Sequence, residues 1–262
     1  MNQKKGYSIL YLLLFTILIS SNELTAQEKF KREDIEWLDV WIPDNNSKEL
    51  PRVLLIGNSI TKSYYKNVVG QLKDKAYIAR MTTSKSLGDT GFLKELTFVL
   101  SYHKFDVIHF NNGLHGWNYT DKEYSNAFPQ FYSTIKKFAP NASLIWANTT
   151  PVRSRNNLDS FHPLNERVIQ RNQIAETYFS SNGVLINDLY SLMKNNIAFY
   201  SDTDGIHPTD IGTILLATQV ADHIKVKIGI ENNIDSFPDY FSPNKIGEKI
   251  AFNFIGKKHY LH

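Results

Sequence analysis

Five short apolar runs, separated by stretches with helical spacing, constrain the fold of this 262-residue chain more than any other feature. Residues 52–56 read RVLLI and stop at Gly57; 76–79 read AYIA; 106–110 read DVIHF; 143–147 read SLIWA; 184–186 read VLI. Their apolar side chains fall at consecutive rather than alternate positions, the pattern of short strands covered on both faces. Between them, residues 60–73 carry apolar or aromatic side chains at 60, 64, 65, 68, 69 and 72. Residues 90–102 place Phe92, Leu93, Leu96, Val99 and Leu100 on one helical face. Residues 122–138, 163–179 and 208–228 continue the series, the last two opened by a proline. This alternation predicts parallel pairing through right-handed crossovers, hence one three-layer α/β/α domain over 52–228 with about five parallel strands. In such a sheet the site lies at the carboxyl ends of the strands.

Two segments fall outside the pattern. Residues 27–51, with Trp37, Trp41 and Pro43, read as an apolar strap on the domain. Residues 229–262 form an aromatic tail with no assignable element. Residues 1–26 read as a signal peptide: Lys4 and Lys5, the apolar run ILYLLLFTILI at 9–19, and Leu24-Thr25-Ala26 before Gln27. The run is short for a membrane span, which needs ~20 residues, although an uncleaved anchor is the alternative. The expectation is an exported protein, periplasmic or extracellular, with no stable membrane insertion once 1–26 is removed.

The chain has no cysteine, which removes disulfides, thiolate metal sites and a cysteine nucleophile. Its 29 Lys+Arg against 26 Asp+Glu give a net charge of +3, too balanced for a nucleic-acid surface. No glycine-rich phosphate loop follows a strand, and none of the eight histidines falls in a His-Glu-x-x-His zinc pattern. No cofactor or metal is expected. His109, inside an apolar strand, reads as a core histidine with its hydrogen bonds met.

Two constellations could carry chemistry. The first strand runs into Gly57-Asn58-Ser59-Ile60-Thr61, so Ser59 stands where a strand ends and a helix begins. A nucleophilic serine needs that exposure, and the oxyanion it generates needs the free N–H groups there. Taken alone, Ser59 reads first as an ordinary N-cap. Before the last helix stands Asp204-Gly205-Ile206-His207-Pro208. Asp-x-x-His lets a carboxylate turn back on the imidazole and fix its tautomer. Asp202 is a competing carboxylate, and Asp-Gly is also an ordinary turn pair.

With these motifs in this order, the sequence resembles the SGNH (GDSL-like) hydrolases, serine esterases with a flavodoxin-like fold. The resemblance spans roughly 52–228. It implies Ser59 as nucleophile, His207 as general base and then acid, and Asp204 as its orienter. It also implies Ser59 N–H and Gly88 N–H, the latter in TSKSLGD at 83–89, as oxyanion donors. The family's usual Asp before the nucleophile is here Asn58. Its third block, Gly-x-Asn-Asp, is replaced by NNGLHGW at 111–117. Asn111 is favoured as the oxyanion side chain because it sits at the strand end, with His115 second and Asn112 also able to donate. Arg153 is read either as a holder of a substrate carboxylate or as the partner of a loop acid. Trp117 either stacks on a sugar ring or packs against the next helix.

The expected activity is hydrolysis of short acyl esters, chiefly acetyl, on carbohydrate. A non-catalytic carbohydrate-binding or surface-interaction protein on the same fold and a sugar acyltransferase are the alternatives. For the esterase, activity should fall as His207 protonates.

Overall fold

The computed structural model describes residues 31–230. The expected signal peptide lies outside them, as does the tail beyond Ile230. The expected strands all form: β2 (Arg52–Gly57), β3 (Tyr77–Thr83), β4 (Val107–Phe110), β5 (Ser143–Ala147) and β8 (Leu185–Asn187). They pair in parallel in the order β3-β2-β4-β5-β8. A sixth strand, β1 (Leu38–Trp41), comes from the segment read as a strap. It pairs antiparallel with β3, Leu38 opposite Thr83 and Trp41 opposite Arg80. A two-stranded ribbon of β6 (Arg153–Ser154) and β7 (Asn157–Phe161) was not legible in the sequence.

Period-two geometry explains the apolar runs. In β2, Leu54 and Ile56 face one core with Phe92, Phe131, Trp146 and Phe179, while Val53 and Leu55 face a second core with Tyr64, Val68, Leu216 and Val220. Each core is closed by helices: α2 (Thr90–Tyr102), α4 (Phe128–Phe138) and α5 (Leu164–Ser181) on the first; α1 (Ser59–Gln71) and α7 (Asp210–Lys227) on the second. Full burial of one such Leu or Phe side chain is worth ~1.5–3 kcal/mol. The first core is densely aromatic: Trp146 stacks on Phe179 at 4.5 Å between centroids, and Phe110 meets both edge-on.

Two helix boundaries differ from expectation. The single helix expected over 122–138 is two, α3 (Asp121–Asn126) and α4, hinged at Ala127. Pro129 has no N–H and its ring clashes with a carbonyl four residues back, so the α3 ladder cannot run through it. The last helix starts at Asp210, with Thr209 as its cap, rather than at Pro208. Pro208 instead bridges to Tyr200. Ser201 N–H donates to His207 O, and Thr209 N–H to Phe199 O, so the loop before α7 is tied at its neck. Among the described residues, no helix is long and apolar enough to cross a membrane.

Candidate active site

The site begins at the carboxyl end of β2. Gly57 is required there, because a Cβ would lie 2.0 Å from Thr61 Oγ1. The cap of α1 is Asn58, not Ser59: Asn58 Oδ1 accepts from Ile60 N–H at 2.9 Å. An amide oxygen does here what a carboxylate would do, which makes the departure at Asn58 harmless to the local fold. Ser59 is left as the first helical residue with its hydroxyl unspent on capping.

That hydroxyl meets a residue 148 positions away: Ser59 Oγ–H donates to His207 Nε2 at 2.8 Å. His207 Nδ1–H donates to Asp204 Oδ2 at 2.5 Å. The other carboxylate oxygen accepts from the backbone N–H groups of Ile206 and His207, at 2.8 and 2.9 Å. Three bonds therefore clamp Asp204, and Asp202 takes no part. Partial burial by itself would push the Asp204 carboxyl up. The hydrogen bonds from the His207 imidazole and the two backbone N–H groups outweigh it and hold the group below the ordinary aspartate value. The set is a serine–imidazole–carboxylate relay, able to activate a hydroxyl nucleophile.

The loop bearing Asp204 and His207 is braced from behind by Arg153. Arg153 N–H donates to Gly205 O at 2.9 Å. Its side chain does neither thing expected of it. It is 5% exposed, donates to Leu158 O and Lys194 O, and lies between the rings of Phe161 and Tyr200. Among the described residues no ion pair joins it to an acid, and the guanidinium is buried.

The second and third blocks are stitched together. Asn112 Oδ1 accepts from Leu87 N–H at 3.1 Å, and Asn112 Nδ2 donates to Lys85 O at 2.9 Å. Gly88 sits on the Tyr119 ring, where a Cβ would come within 2.8 Å. Its N–H has only a long 3.4 Å contact to Ser86 Oγ. Asn111 corrects the expectation. Its amide donates to Ala147 O at 2.7 Å and to Thr149 Oγ1 at 3.2 Å, so both protons are spent on the neighbouring β5 end. His115 is held differently: Nδ1–H donates to Glu33 Oε2 at 2.8 Å. Trp117 has its ring under the Arg171 guanidinium at 4.7 Å and near that of Arg167 at 5.6 Å, so one face is already covered by protein.

Sequence reasoning missed Glu33 and two arginines of α5. The Arg171 side chain is wholly buried and donates to the carbonyls of Gly113, His115 and Gly116. Arg167, one turn earlier, donates to those of Trp117 and Tyr119. The four-residue spacing of two arginines on an otherwise packed helix was the available signal. Glu33 left none. Among the described residues, no group of three or more His, Asp or Glu is placed to hold a metal ion.

No family model and no curated protein matches the sequence. Solved structures do match the fold. An acetylxylan esterase, Axe2, from Geobacillus stearothermophilus superposes with TM-score 0.54 and 16% identity, over 69% of this chain and 95% of that one. A carbohydrate acetylesterase family member from Sinorhizobium meliloti gives 0.56 and 15%, over 68% and 99%. A candidate GDSL-like lipase from Parabacteroides merdae gives 0.53 and 18%, over 72% and 100%. The described α/β domain shares its fold with these esterase and lipase structures. Around the parallel sheet the described residues also form the β1 edge strand and the β6–β7 ribbon.

Proposed function

We propose that this protein is an exported serine esterase that removes short acyl groups, acetyl above all, from carbohydrate. The contact chain Ser59 Oγ–His207 Nε2–Nδ1–Asp204 Oδ2 carries the proposal. His207 takes the serine proton as Oγ attacks the ester carbonyl. Asp204, a carboxylate at neutral pH, holds the imidazole in that tautomer and stabilises the imidazolium. Backbone N–H groups of Ser59 and Gly88 are the donors for the oxyanion. His207 then protonates the leaving alkoxide, and water repeats the cycle on the acyl-enzyme. A binding protein has no use for a serine, an imidazole and a carboxylate in this register, which favours the enzyme. The fold neighbours named as acetylxylan and carbohydrate acetylesterases support the substrate class. The apolar leader with its two lysines supports export.

The test is hydrolysis of p-nitrophenyl acetate and of acetylated xylo-oligosaccharides by the purified protein beside Ser59→Ala. The parent should turn over, and the variant should fall by a factor of roughly 10⁴ or more. A phosphonofluoridate should label Ser59. A parent that is inert to both esters and is not labelled would sink the assignment.

A further inference from the structure

We infer that the protein carries a second site, a groove at the end of the sheet away from Ser59, and that this groove takes a neutral polysaccharide strand. The segment read as a strap builds one wall. After β1 ends at Trp41, the loop at 43–50 lines the groove together with the start of β3 and the last turns of α1. The groove holds about 440 Å³, within the ~300–1,000 Å³ of small-molecule sites. Val69, on its helical wall, lies ten residues beyond Ser59, roughly 15 Å along the axis of α1.

Arginines set its aromatic side chains from behind. Trp41 is 56% exposed, yet its ring is held: the Arg80 guanidinium lies 5.9 Å from it and 4.5 Å from the Tyr65 ring, and Arg80 Nε–H donates to Asp39 Oδ1 at 3.1 Å. Tyr77 is treated alike. The Arg52 guanidinium lies 5.3 Å from its ring, and Tyr77 Oη–H donates to Glu49 Oε2 at 2.8 Å. Arg52 is itself buried and donates to the carbonyls of Pro43 and Asp44, at 2.8 and 2.6 Å, which ties the loop down. Scattered exposed apolar side chains need no explanation, but Trp41 and Val69 are both exposed and line one concavity. Rings and a loop fixed before binding lose little entropy when a ligand arrives. A flat aromatic face is the natural seat for the C–H face of a pyranose ring.

The rim selects the class of ligand. The charged side chains lining the groove are Asp44, Lys66, Lys73 and Asp74, all exposed, and their charges sum to zero. A nucleic acid or an acidic glycan calls for a surplus of cations. A lipid surface calls for a broad apolar face rather than a charged rim. A neutral polyhydroxylated chain calls for an aromatic seat flanked by separate donors and acceptors, which ammonium and carboxylate groups supply. The consequence for catalysis rests on the esterase proposal: a strand held here keeps the enzyme on its polymer between turnovers and raises the local ester concentration.

The experiment is isothermal titration calorimetry of Ser59→Ala with xylohexaose, cellohexaose and mannohexaose, none of which carries an ester. At least one hexaose should bind. On the same background Trp41→Ala should weaken that binding by roughly tenfold or more, and Trp41→Phe by only a few-fold. Val69→Arg, which fills the groove from an exposed helix position, should also cost roughly tenfold or more. Melting temperatures should stay near the parental value, because both side chains are exposed. An oligogalacturonate of equal length should bind no better than the neutral hexaose. The inference falls if no hexaose binds, if Trp41→Ala and Val69→Arg bind like their parent, or if the acidic oligomer binds more tightly. It falls equally if sedimentation shows a dimer that Trp41→Ala dissolves, since the groove is then a contact between copies. Binding is read without turnover, so its failure leaves the Ser59 relay untouched, and a parent inert to esters leaves the groove untouched.

Discussion

Gly205 separates Asp204 from His207 by one peptide unit on the acid side, and its place admits no side chain. Its φ is +70°, and a Cβ would lie 2.4 Å from the carbonyl oxygen of Arg153. Both the left-handed backbone and the close approach are costs that L residues bear poorly. Gly205→Ala should destabilise by more than ~1 kcal/mol in urea unfolding and slow phosphonofluoridate labelling of Ser59, because the loop must shift away from Arg153. Asp204→Asn tests the same relay without moving the backbone. An amide in place of the carboxylate no longer selects the tautomer with Nδ1 protonated, and kcat should drop by roughly 10³–10⁴-fold with the fold intact by circular dichroism. A decrease of only a few-fold would move the carboxylate role away from Asp204.

At the scale of elements, β4 carries an ionisable group through the middle of the sheet. His109 is wholly buried, and its Nε2 accepts from Asn187 Nδ2 at 3.1 Å, while Asn187 Oδ1 accepts from Gln219 Nε2 at 2.7 Å. The ring is therefore neutral. Burial first, and the nearby His223 second, push its pKa down to about 3 from 6.5. Burial also lowers His223. The sign follows from proton counts: below pH 6.5 the unfolded chain binds a proton at His109 that the folded chain refuses. Stability is then full above pH 6.5 and falls on acidification, by up to about 1.4 kcal/mol per pH unit for one such group. His109→Gln should flatten that slope. Urea unfolding at pH 7 and pH 5 checks it, and an equal loss in parent and variant would show that His109 is not the sensor. The broken helix belongs to this scale as well: its hinge follows from one proline, Pro129, that a periodicity count over 122–138 averages away.

At the scale of the whole molecule, two apolar layers hold a sheet whose carboxyl edge bears the Ser59–His207–Asp204 contacts. The chain has no cysteine, so no disulfide contributes. The aromatic layer is its most concentrated part, and Phe179 touches Trp146, Phe110, Phe128 and Phe131. Phe179→Ala should cost ~3–5 kcal/mol and lower the melting temperature by roughly 10 °C. Activity per folded molecule at low temperature should be nearly unchanged, because Phe179 does not touch the relay. Loss of activity with an unchanged melting temperature would contradict this division of labour.

The sequence by itself determined what is local. Strand positions follow from consecutive apolar residues, helix positions from their spacing, and the Asp204–His207 pair from a separation of three. Ser59 and His207 lie 148 residues apart, and their meeting was legible only as what the resemblance to the SGNH hydrolases implied. Only the tertiary structure decided which donors are free. Asn111 is spent on Ala147, 36 residues on; the Arg153 side chain on Lys194, 41 residues on; and His115 is claimed by Glu33, 82 residues back. The physical reason is that a side chain's capacity to donate is written in its type, whereas its availability depends on which acceptors the fold brings within hydrogen-bond distance. Those acceptors are mostly carbonyls and carboxylates with no periodic signature along the chain.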